Sequence, residues 1–194
     1  MKEFFAVAAG ILIMLSSVPY ILDILKKKTK PNLVTWTTWT LLIGIATAAS
    51  FAAHQPRSAI LTLGDTFCTF IIVLLGIKHG VAKLSLFDFA CQAAAVLGLI
   101  LWLVFDSPLI AIIFAVTIDF IVTLPTLKHS WIYPQEETWQ TFGISALACG
   151  LTLLSLSEFR FSGWIFPVYL LLSNLALSST IIYRRQQKGM SLAR

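Results

Sequence analysis

Charge is scarce in this chain. Of 194 residues only 12% are charged and nine are acidic, against 58% hydrophobic residues and a mean hydropathy of +0.86. A soluble domain of this size needs a polar surface and cannot keep so few charges. No lysine or arginine lies deep inside an apolar run, and the three histidines, His54, His79 and His129, all fall between runs without clustering. A membrane enzyme would need a metal cluster or a nucleophile–base pair among the runs, and a retinal protein would need a lysine in the last of them. Neither is present in the sequence, so neither an enzyme nor a cofactor is expected. Cysteine is as sparse: Cys68, Cys91 and Cys149 stand at no metal-ligand spacing and are expected to pack. Long polar stretches are missing too, so any function has to sit among the apolar segments.

Apolar runs of about 20 residues are what the chain does have, each enough to cross roughly 30 Å of hydrocarbon as a helix. They fall over 4–24, 33–53, 59–77, 85–105, 108–127, 138–157 and 163–183. Each is continuously apolar, without the alternation of a lipid-facing strand, so the expected fold is an all-α membrane protein of seven transmembrane helices. The first run is not a cleaved leader, because its main positive cluster follows it and no small-residue cleavage site is evident. With seven spans, Lys2, Arg57 and Arg160 share one side, while the other 11 of the 14 basic residues lie opposite. The positive-inside rule then puts the N-terminus outside and the C-terminus in the cytoplasm. It also accounts for the net charge of +5 without a nucleic-acid partner. Membrane lipids are the expected surroundings, in a bacterial or archaeal inner membrane.

The chain repeats itself. Pro31-Asn32-Leu33-Val34-Thr35-Trp36-Thr37-Thr38-Trp39 follows the first span, and Pro134-Gln135-Glu136-Glu137-Thr138-Trp139-Gln140-Thr141-Phe142 follows the fifth. Both read P-x-x-x-T-W-x-T-aromatic. Pro19 and Pro125 lie near the ends of the preceding spans, Asp65 in the third span corresponds to Asn174 in the seventh, and Gly80 and Gly189 follow each by 15 residues. One intervening helix makes the halves parallel repeats, related by an axis along the membrane normal. The expected organisation is a three-helix bundle over 1–83, a linker helix over 84–106 and a second bundle over 107–194.

The chain resembles the SWEET and PQ-loop superfamily of small transporters. The resemblance rests on seven helices, the outside N-terminus, the 3+1+3 repeat and the segment from Val18-Pro19-Tyr20 to Lys30, which looks like that family's proline turn and basic loop. The family's Pro-Gln pair is Pro19-Tyr20 here and Pro125-Thr126 in the second half; the literal Pro134-Gln135 aligns instead with Pro31-Asn32. In SWEETs, asparagines on the third and seventh helices hold substrate near mid-membrane. The resemblance implies that Asp65 and Asn174 take those places, and the acid in place of one asparagine favours a cationic or proton-coupled substrate.

Several residues are candidates for chemistry. Proline inside a helix removes a hydrogen bond and clashes with the preceding turn, so Pro19 and Pro125 are candidate hinges of the inner gate or simple packing kinks. A carboxylate in hydrocarbon is costly and should face a cavity. Asp65 is therefore a candidate for substrate binding or proton coupling, and Asp119 in the fifth span a second proton-coupling candidate. The alternative for both is a structural hydrogen bond, for which Thr123 lies one turn from Asp119. Thr62, Asp65 and Thr69 share one helical face, as do Asn174 and Ser178. Asp88 fits a capping box, Ser85-Leu86-Phe87-Asp88, at the start of the linker helix. Trp36, Trp39, Trp139 and Phe142 form matched aromatic pairs that can stack on a solute; an interfacial belt is the alternative, and is the expected place of Trp102, Trp131 and Trp164.

The leading expectation is a transporter of a small polar solute, such as a sugar, amino acid, cation or nucleoside, working by alternating access between the bundles. A homo-oligomer is compatible with this reading. Trp36-Thr37-Thr38-Trp39 also resembles the W-x-x-W element of nicotinamide riboside transporters. KDEL-type receptors share the fold plan, but bind a peptide carboxylate with basic residues in the cavity.

Overall fold

Where water is absent, every backbone N–H and C=O has to be paired within its own segment, so continuous runs of leucine, isoleucine and alanine become helix. The computed structural model describes residues 1–28, 31, 33–79 and 86–192, and among these it contains helices and no strand. The elements are α1 (Lys2–Ser16), α2 (Val18–Leu25), α3 (Leu33–Ala52), α4 (Pro56–His79), α5 (Leu86–Phe105), α6 (Pro108–Ile132), α7 (Trp139–Ser155) and α8 (Phe161–Gln187). A 3-10 turn, Pro134–Glu136, precedes α7.

Among the described residues four stretches are long and apolar enough to cross a membrane: Lys2–Leu25, Pro56–His79, Pro108–Ile132 and Phe161–Gln187. α3 and α5 have 20 residues each and α7 has 17. Two helices outrun the apolar runs that predict them. α6 continues to Ile132 and α8 to Gln187, with His129 in the last turn of α6 and Arg184 and Arg185 in that of α8, where basic side chains favour the exposed carbonyls. α4 and α6 start on Pro56 and Pro108, whose missing N–H costs nothing at a first helical position.

Contacts between helix ends show that the chain runs up and down. Arg57 at the start of α4 pairs with Glu3 at the start of α1, and Gly163 at the start of α8 lies directly against Gln55. At the opposite end, which carries Lys26, Lys27 and Lys28, Thr138 donates to Asp23 at 3.0 Å and Arg184 Nε to the Trp131 carbonyl at 2.9 Å. These are the N-terminal end and the basic end of the bundle. α4 packs between α1 and α3, and α8 between α6 and α7. α1 also lies against α7 and α3 against α6, while α5 flanks α6 and α3.

The pattern of burial suits a lipid solvent. Phe67, Phe70, Leu74, Phe120, Leu147 and Leu172 face outward, while Ala9, Ala46, Ala49, Ala111, Ala115 and Ala148 are at most 1% exposed. Small residues let helix backbones approach when there is no hydrophobic drive between helices. α1 and α4 show this most clearly: a Cβ on Gly64 would fall 2.9 Å from Ile13 Cγ2 and 3.3 Å from the Gly10 carbonyl. This alanine-rich packing lies in the half of the bundle nearer the N-terminal end, together with buried hydroxyls such as Ser50, Ser58 and Ser155, while the buried carboxylate Asp119 lies in the other half.

Candidate functional site

A cavity of about 550 Å3, its mouth included, lies among α1, α3, α4, α6, α7 and α8, nearer the basic end. Its position follows from a break in the first span. Pro19 has no N–H to give the preceding turn, so α1 stops at Ser16 and α2 starts at Val18, with Ser17 between them. The freed turn presents Ser16 and Ser17 to the cavity. Ser16 donates to the Ile13 carbonyl at 2.7 Å and accepts from Ser145 of α7 at 2.9 Å. The second proline behaves differently. α6 runs unbroken through Pro125, whose side chain lies outside the described residues. Pro19→Ala is therefore expected to join α1 to α2 and slow solute uptake several-fold, since alanine favours a helix interior over proline by about 3 kcal/mol. Initial uptake rate at matched protein amount checks this, and an unchanged rate leaves Pro19 a packing feature.

The cavity brings together most of the residues that the sequence singles out. Asp65, Asn174, Asp119, Trp36, Trp39 and Phe142 all line it. Asp65 is half-buried. Thr69 donates to its backbone carbonyl at 2.9 Å, and among the described residues no side chain donates to its carboxylate. Asn174 gives one of its two Nδ2 hydrogens to the Leu170 carbonyl at 2.8 Å, which leaves its side-chain oxygen and the other hydrogen for a ligand. Asp119, 4% exposed, accepts from the Tyr169 hydroxyl and, at 3.5 Å, from Thr123; those two hydroxyls lie 3.3 Å apart. The two carboxylates thus differ: Asp119 is met by hydroxyls from α6 and α8, and Asp65 faces open space.

Three sequence expectations need correction. Trp139 does not line the cavity; its indole N–H donates to the Leu192 carbonyl at 3.0 Å. Its counterpart Trp36 stacks on Tyr20 of α2, centroids 4.8 Å apart, and donates to the Tyr20 hydroxyl at 3.2 Å. The repeat puts Thr126 where Tyr20 stands, and without a ring there Trp139 turns to the C-terminal segment. Trp36 is also no belt residue, being only 7% exposed. Finally, the polar faces of α4 and α8 are narrower than the spacing predicts. Thr62 is fully buried with its hydroxyl bonded within α4, and Ser178 donates to the Trp139 carbonyl at 3.3 Å. Trp131 does sit at the surface as expected, under the Arg184 guanidinium at 4.6 Å. The side chains of Asp88 and Cys91, and Gly80 and Lys83 entirely, lie outside the described residues.

Other functional residues have little signal in the sequence. Tyr169 has no acidic or aromatic counterpart in the repeat and Ser145 reads as an ordinary helix hydroxyl, while Thr141 is marked only as the counterpart of Thr38 in the repeated motif. Thr141 is 6% exposed, lines the cavity and has no hydrogen-bond partner among the described residues, and neither has the Trp39 indole nitrogen. Orphaned buried donors are rare and call for a missing partner. Among the described residues no group of three or more metal-ligating side chains occurs. Comparisons with models of known protein families, with curated proteins and with solved structures each find no match, so function is inferred from the cavity itself.

Proposed function

We propose that this chain is a seven-span transporter of the 3+1+3 parallel-repeat kind, similar to SWEET and PQ-loop proteins, which moves a small polar solute by alternating access. The observation that carries the reading is one polar cavity lined from both halves by repeat-related pairs, Asp65 with Asn174 and Trp39 with Phe142. The helix neighbours support it. If α1, α3 and α4 correspond to α6, α7 and α8, then α4 between α1 and α3 matches α8 between α6 and α7, and the α1–α7 contact matches α6–α3. Packing of small residues on one side of the cavity suits rocking of two bundles, since small flat surfaces can part and re-form. A KDEL-type receptor would need a basic cavity, and no Lys, Arg or His is among the lining residues.

Reconstituted protein is expected to take up at least one labelled solute from a panel of sugars, amino acids, amines and nucleosides, saturably and faster than empty vesicles. Failure with every class under both pH gradients would sink the transporter reading. The Lys and Arg distribution supports an outside N-terminal end. Cysteines at the exposed positions His54 and Ser157, in protein without its native cysteines, should then react with an impermeant thiol reagent in intact cells. Cysteines at Lys26 and Gln187 should react only after lysis, and the reverse pattern inverts the topology.

A further inference from the structure

Resting on the transporter reading of this cavity, we infer that its ligand is a small organic cation, an amine that carries a neutral oxygen acceptor at its other end. The lining divides into two chemistries. Asp65 offers a carboxylate to which no described side chain donates, and Asn174 offers its side-chain oxygen and one Nδ2 hydrogen, the other being bonded to Leu170. A carboxylate and an amide oxygen lining one space can both accept from an ammonium, which has three N–H bonds. Trp39 and Thr141 present the opposite need. Both line the cavity, and the indole N–H and the hydroxyl are buried without a partner, Thr141 at 6% exposure. A donor-only indole needs an acceptor, and an oxygen on the ligand supplies it.

The charge balance excludes the near alternatives. Asp65 and Asp119 both face the cavity and no lining residue is Lys, Arg or His, so a ligand carboxylate or phosphate would meet like charge and no counter-ion. Tyr169 and Thr123 both donate to Oδ2 of Asp119, so Asp65 is the carboxylate left without a described donor, and Asp119 adds its charge to the same space. Trp36 and Trp39 stand edge to face, centroids 5.2 Å apart, and a ring face attracts a cation beside the carboxylate. A neutral sugar offers Asp65 no counter-charge, so it would bind only with Asp65 protonated, and Asp65→Asn would then keep its affinity.

The test is equilibrium binding to purified protein by calorimetry, with two matched sets of probes. Tyramine is compared with its neutral isostere tyrosol and with zwitterionic tyrosine, and 5-amino-1-pentanol with 1,5-pentanediol. At neutral pH each amine should bind at least about tenfold tighter than its neutral isostere, and tyramine tighter than tyrosine. Asp65→Asn should erase the amine-over-neutral preference. Thr141→Val should leave that preference but reduce the advantage of tyramine over phenethylamine, which lacks the oxygen. Equal binding of amines and neutral isosteres, a preference that survives Asp65→Asn, or no binding by either amine overturns the inference. Because binding is read without vesicles, the two readings fail separately. Amine binding without uptake sinks the transporter reading alone, and uptake of a neutral solute without amine binding sinks this inference alone.

Discussion

Asp65→Ala and Asn174→Ala are each expected to lower uptake by about ten- to a hundredfold in protein that inserts normally. A hydrogen bond to a charged group is worth about 1.5–3 kcal/mol, and each 1.4 kcal/mol is about a factor of ten. The larger loss belongs to Asp65, whose carboxylate faces the cavity without a described donor. Neither substitution should unfold the bundle, because neither side chain braces one helix against another: the bond that Asn174 makes, to Leu170, lies within its own helix. Asp65→Asn separates two roles. It keeps shape and hydrogen bonding while removing the charge. If Asp65 carries a coupling proton, this variant exchanges solute but loses accumulation driven by a pH gradient. If the charge holds a cation, exchange falls as well. Accumulation that persists in Asp65→Asn moves the coupling to Asp119, where Asp119→Asn becomes the decisive variant. Normal uptake in all three variants would make these residues structural.

Arg185→Ala is expected to have the largest effect on the amount of folded protein, well beyond that of any cavity substitution. Arg185 is only 2% exposed, at the basic end of α8. Its Nε donates to the Pro134 carbonyl at 3.0 Å and Nη2 to the Glu137 carbonyl at 2.7 Å. These two carbonyls belong to the turn that leads into α7 and places Thr138 against Asp23. One guanidinium thus holds a turn that touches the first half at Asp23. Leaving a buried acceptor without its donor costs about 1–3 kcal/mol for each of the two carbonyls, a large part of a typical total stability of about 5–15 kcal/mol. The midpoint of thermal unfolding in detergent should fall accordingly. Arg185→Lys should recover little, because an ammonium cannot reproduce the planar fork that reaches both carbonyls. A melting curve like that of the unsubstituted protein in Arg185→Ala would show that the turn is held by other contacts.

Asp23 and Arg185 also show where a linear reading stops. Asp23 falls at the end of the first apolar run, beside the basic cluster, and Arg185 looks like one more positive charge beyond the last span. Nothing local marks either as buried, and Arg185 reads like Arg184, a usual signpost of topology. Their burial is decided by residues over 100 and about 50 positions away, Thr138 for Asp23 and the Pro134–Glu137 turn for Arg185. The break at Ser17 was legible because proline acts through its own backbone. The difference between Trp36 and Trp139 was not, because it depends on whether a neighbouring helix supplies a ring.

The sequence by itself determined the apolar helices, their approximate ends, the charge asymmetry between the two ends of the bundle, and Asp65 and Asn174 as polar residues that line one cavity. These depend on residue type at a given spacing: hydropathy over about 20 positions, cations at chain turns, and polar groups set inside apolar runs. Tertiary structure alone decided which hydroxyls meet which carboxylate. The Tyr169 hydroxyl reaches Asp119 from a helix 50 residues away, Thr141 and Trp39 are left without partners, and Thr62 turns into the packing although it shares a helical face with Asp65. A helical face is more than one residue wide, and which part of it meets a cavity is set by the rotation and approach of its neighbours. Here Gly10, Gly64 and the buried alanines allow that approach at one end of the bundle and leave the polar space at the other.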